Sequence, residues 1–153
     1  MMRFPSVFDQ ATHAEILSRL SLLHEDSPRL WGTMSAAQML AHLSVAYEFA
    51  YGVRTDTPPW IMRKFVALFF RDLLVGDKPY PKNGPTAPAM KQSVEKDFLT
   101  EHKKFTEWVE RVHHDGREAF EGRRQSTLGV LTADEWSTLF YKHLDHHFRQ
   151  FGI

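Results

Sequence analysis

The chain has no cysteine. Disulfides, thiolate metal sites and cysteine nucleophiles are therefore excluded, and the absence fits a cytoplasmic protein. It also has no excess charge of either sign: 19 basic residues stand against 19 acidic ones. That balance leaves no electrostatic footprint for nucleic acid or an anionic membrane. Long apolar runs are missing too. The longest, Trp60 to Val75, is interrupted by Arg63, Lys64, Arg71 and Asp72. It is too short and too charged to span a bilayer. The opening residues, Met1-Met2-Arg3-Phe4-Pro5, lack the apolar stretch of a signal peptide.

What is present is a core. With 42% apolar residues, 12 Phe and 4 Trp in 153 positions, residues 1–153 read as one domain able to bury an aromatic-rich interior. The hydrophobic spacing is helical throughout. A first helix is expected from Thr12, with Glu15 as its capping partner, to about His24. A second starts at Ser35 with Gln38 and runs to about Val53, stopped by Pro58-Pro59. A crossover helix is expected over 60–74, packed on the bundle. A proline-rich stretch, 76–88, then makes an extended loop. A third long helix covers 93–114. The last follows Thr132, which is paired with Glu135 in another capping box. Brief extended structure is expected near 126–131. The fold class is all-α, a bundle with one long crossover.

The chemistry concentrates near the end of the chain. His143, His146 and His147 fall within five residues of the last helix. At about 100° per residue, His143 and His147 share one face, beside Trp136, Leu139, Phe140, Leu144 and Phe151. A buried imidazole needs a partner, and a divalent ion gripped at i and i+4 is one answer. His42 lies on the apolar face of the second helix, where Ala46 and Ala50 leave room beside it. Taken alone, His42 reads more readily as a hydrogen-bonded core histidine than as a ligand. Together the three make a candidate metal site with coordination positions left open.

His146, at the stripe edge, is expected to support the site or to lie on the surface. Gln150 faces the stripe and could hydrogen-bond a ligand imidazole. His113 and His114 suit a helix C-terminus. His13, His24 and His102 are expected to be exposed. No acid/base partner is evident, since Tyr47, Glu48 and Tyr141 point away from the three histidines on an ideal helix.

Three stretches carry a resemblance: Trp31-Gly-Thr-Met-Ser-Ala-Ala-Gln-Met-Leu-Ala-His42, Leu131-Thr-Ala-Asp-Glu-Trp136, and Tyr141-Lys-His-Leu-Asp-His-His-Phe-Arg-Gln-Phe-Gly152. They resemble the DinB/YfiT-like superfamily, and within it a branch described only as a domain of unknown function. The resemblance covers nearly the whole chain. It implies a four-helix bundle of up-down-down-up topology, with the crossover helix as an addition. It also implies a three-histidine divalent metal site at His42, His143 and His147, and a homodimer. Zn²⁺ or Ni²⁺ suits imidazole ligands.

The functional expectation is a metal-dependent enzyme acting on a small molecule. A transferase using a low-molecular-weight thiol ranks slightly ahead of a hydrolase, because conjugation asks less acid/base chemistry of the protein. The alternative is a non-catalytic small-molecule-binding or sensing module, its metal structural or absent. A plainer possibility is a bundle whose histidines simply hydrogen-bond one another.

Overall fold

In a computed structural model, residues 4–153 are described; the Met1-Met2-Arg3 part of the opening segment lies outside them. Among the described residues there are six α-helices: α1 Gln10–Leu20, α2 Ala36–Ala50, α3 Trp60–Phe69, α4 Arg71–Val75, α5 Phe98–Asp115 and α6 Ala133–Gln150. One hairpin of two-residue strands, β1 Arg124–Gln125 and β2 Gly129–Val130, pairs antiparallel between α5 and α6. None of these helices is long and apolar enough to cross a membrane.

Capping chemistry fixes the two helices that matter most. Ser35 accepts from Gln38 N while the Gln38 side chain accepts from Ser35 N, a closed capping box at the start of α2. Thr132 and Glu135 do the same for α6. The expected box at Thr12 does not form. Thr12 is buried inside α1, which begins two residues earlier after Asp9. The helix also ends at Leu20, short of His24. Likewise α5 starts at Phe98, because Asp97 accepts from Thr100 N and caps it there. The crossover helix breaks at Phe70 into α3 and α4. α2 closes at Ala50, so Val53 lies beyond the stripe and is exposed.

The core forms where α2 packs on α5 and α6, with α1 against α5. Trp136, Phe105, Phe120 and Phe148 are its largest fully buried side chains. Tyr47 stacks on Phe140 with ring centroids 4.6 Å apart. Removing the cap of α6 tests how far this packing depends on local signals. Thr132→Ala is expected to cost about 1 kcal/mol, read as a lower urea midpoint at unchanged helix content.

Candidate metal centre

α2 and α6 pack against each other, and His42 from the first meets His143 and His147 from the second in the space between them. Their nitrogen donors all lie within 4.8 Å of one another. The His42 and His143 Nε2 atoms are 2.9 Å apart. Two nitrogens held at about 2.0–2.1 Å from one ion, at angles of 90–110°, sit roughly 2.9–3.4 Å apart. That pair therefore already has ligand spacing. The three rings meet edge-on, with centroids 4.6 to 5.1 Å apart.

The second nitrogens decide which atoms are free. His42 Nδ1 lies 2.9 Å from Met90 O, a carbonyl that can only accept, so Nδ1 carries the hydrogen. His147 Nδ1 lies 2.7 Å from Gln150 Oε1. The Gln150 amide is oriented in turn, its Nε2 donating to Trp31 O at 2.8 Å. Both imidazoles thus present a bare Nε2 inward, the tautomer that supporting hydrogen bonds select in metal sites. With His42 Nε2 bare, the 2.9 Å contact makes His143 the donor through its Nε2–H. An ion bound by both would require that hydrogen to move to His143 Nδ1.

Burial and mutual proximity keep the cluster neutral. Burial pulls His42 below the ordinary imidazole value of 6.5, against the Met90 carbonyl. Burial, reinforced by His42, takes His147 down to about 3. His143 lies well below 6.5, again through burial and then the neighbouring imidazoles. His42 and His147 are buried and His143 is partly exposed, so the site opens to one side at His143.

That opening is walled by aromatic side chains. His146 is half-buried, its ring 4.9 Å from His147 and 5.6 Å from Trp31. Tyr80, from the proline-rich loop, stands 6.4 Å from His143 and 6.0 Å from His146. A cleft of about 200 Å³ runs beside His146, between Trp31, Tyr80 and Lys142. Tyr47, Glu48 and Tyr141 are elsewhere, as expected. Tyr47 is in the core, Glu48 pairs with Lys104, and the Tyr141 hydroxyl donates to Glu15.

The other histidines divide. His24 is exposed and His113 and His114 occupy the last turn of α5. His13, expected to be exposed, is buried instead, stacked on His113 with centroids 4.0 Å apart and facing Glu110. His102 is only partly exposed, with Nε2 3.2 Å from Leu20 O.

Sequence reasoning found Gln150 but missed four contributors. Met90 offers a backbone carbonyl, which no side-chain pattern announces. Tyr80 arrives on an irregular loop. Gly32 has φ +77°, and a Cβ there would collide with the Gln150 amide. A glycine directly after Trp31 was the available signal. Lys142 is buried, its ammonium donating to Leu73 O at 2.6 Å and Gly76 O at 2.8 Å. Burial pulls it down to about 8. It ties the end of α4 and the start of the Tyr80 loop to α6, next to His143.

Residues 6–152 match the family model described as "Protein of unknown function (DUF1569)". The chain belongs to that family. No curated protein and no solved structure matches it.

The neutral cluster gives a defined pH response. The unfolded chain protonates these histidines near 6.5, whereas the folded, metal-free protein does so only lower, at about 3 for His147. The unfolded state therefore takes up more protons as pH falls, and stability is lost from about 6.5 downward. In chelator-treated protein the urea midpoint should be constant above pH 7 and fall between pH 6.5 and 5. His147→Gln should flatten that slope.

Proposed function

We propose that this member of a family of unknown function is a divalent-metal-binding protein, with His42, His143 and His147 holding Zn²⁺ or Ni²⁺. In this reading α1, α2, α5 and α6 form an up-down-down-up bundle of the DinB/YfiT-like kind. The protein works as a metal-dependent enzyme on a small molecule, a thiol-dependent transferase ahead of a hydrolase.

One observation carries the metal assignment: Met90 O and the Gln150 amide each occupy a histidine Nδ1, which leaves the Nε2 atoms of His42 and His147 without hydrogens in a cluster whose ligand nitrogens lie within 4.8 Å of one another. The donor set fits, since neutral imidazole suits Zn²⁺ and Ni²⁺. A bound ion supplies Lewis acidity and lowers the pKa of a water or thiol at its open positions. The protein's own residues orient the ligands, wall the opening with Trp31 and Tyr80, and keep the site neutral.

Among the described residues no carboxylate is hydrogen-bonded to the cluster, and the Tyr80 hydroxyl donates to Leu74 O; that lack of an acid/base partner ranks conjugation above hydrolysis. The same lack supports a second reading, a binding or sensing module that uses the aromatic cleft without turnover. Consumption of a thiol and an electrophile by the metal-loaded protein selects the first reading. Saturable ligand binding without turnover selects the second.

Metal content by mass spectrometry on untagged protein, purified without chelator, tests the assignment. Wild type should carry close to one equivalent, and His147→Ala and His143→Ala little, at unchanged helicity. Stoichiometric metal in His143→Ala would overturn the ligand set. Gln150→Leu keeps the three ligands but frees His147, and should weaken metal binding about 10–100-fold. Gly32→Ala is expected to act in the same direction, by displacing Gln150.

A further inference from the structure

Helix α3 is amphipathic the wrong way round. Val66 and Ala67 pack on the core, and Arg63 lies between them in angle. Ile61, Phe65 and Leu68 lie about 150–170° away round the helix. These residues are 64%, 49% and 76% exposed, joined by Phe69 at 65% and Met62 at 51%. Five side chains of about 200 Å² each, a little over half exposed, offer on the order of 600 Å² of apolar surface. That is the upper end of what a monomer leaves contiguous.

Charge decides what covers it. α3 holds no acidic residue. Among the described residues neither Arg63 nor Lys64 is in an ion pair, and Arg63 Nε is buried without a hydrogen-bond partner. Lys64 is exposed on the flank of the apolar face, its ammonium 5.1 Å from the Trp60 ring. A two-fold pairing with a second copy would bring α3 against itself. It would oppose like charges, with no acidic residue on α3 to offset them. A bilayer needs no matching surface. An apolar stripe bordered by a Trp and a Lys is the pattern of a helix lying in the headgroup region.

We infer that α3 is a peripheral docking helix for an anionic lipid surface. Ile61, Phe65, Leu68 and Phe69 enter the acyl boundary, with Trp60 and Lys64 at headgroup level. The balanced charge of the whole chain, which predicts no membrane partner, conceals the exposed cation, Lys64, beside this apolar face.

Flotation of the full chain with vesicles tests it, comparing pure phosphatidylcholine with a 70:30 mixture of phosphatidylcholine and phosphatidylglycerol. Binding to the anionic vesicles is expected, weaker by at least about threefold on the neutral ones, from a single basic residue near the surface. Lys64→Glu should remove that preference. Phe65→Asp with Leu68→Asp should abolish binding while leaving helicity and metal content unchanged, because both side chains are exposed. Three results would overturn the inference. They are no binding to either vesicle, equal binding to both, or sedimentation showing a dimer that Phe65→Asp converts to monomer, which would mean that a second copy covers the face.

Discussion

An imidazole withdrawn from water must have both ring nitrogens accounted for, and leaving one unpaired costs about 1–3 kcal/mol. Three of them share the space between α2 and α6, so the surrounding chain is arranged to answer that demand. Met90, after the proline-rich loop, supplies a carbonyl to His42. Gln150, one turn after His147, supplies its amide and is itself held by Trp31 O. The backbone of the α1–α2 connection that carries Trp31 is fastened to the end of α6, where Leu30 N donates to Gln150 O at 2.7 Å. Segments distant in sequence thus converge on two helices because the histidines between them need oxygen atoms.

α6 can meet these requirements because its faces are divided. Trp136, Phe140, Leu144 and Phe148 go to the core. His143 and His147 go to the gap. Asp145 lies between Arg19 at 2.9 Å and Arg149 at 2.9 Å, an ion-pair network that binds α1 to α6. Lys142 reaches the other way and holds the crossover segment. Arg71 adds a second attachment, donating to Leu128 O and pairing with Glu135. Glu135 also caps α6, so one carboxylate serves the helix start and the crossover together. The position of the Tyr80 wall beside His143 rests on these two cations.

Much of this could be read from the residues alone. The boxes at Ser35–Gln38 and Thr132–Glu135 carry a complete local mechanism, and both form as the spacing indicates. His42, His143 and His147 were legible because polar groups in an apolar stripe contradict the stripe. Thr12 and Glu15 have the same box spacing, yet Thr12 is drawn into the core and the helix starts earlier, so tertiary packing overrides the motif. His13 was misjudged because a stacking partner, His113, comes from a residue 100 positions away. α3 has the periodicity of a packed helix, but periodicity does not say which way the apolar face turns. That depends on the Arg71 and Lys142 attachments, which are made far along the chain.

A chain without cysteine has no covalent means of joining its distant parts. His42 and His143 stand 101 positions apart and touch through a single nitrogen pair. Any ion held by both would close a loop that encompasses two-thirds of the molecule. In a disulfide, closing a loop of that length restricts the unfolded chain enough to be worth about 4.7 kcal/mol. An ion does so reversibly. It would be a cross-link whose presence follows the supply of metal rather than the redox state of the surroundings, so the lifetime of the fold and the loading of the site would become one quantity.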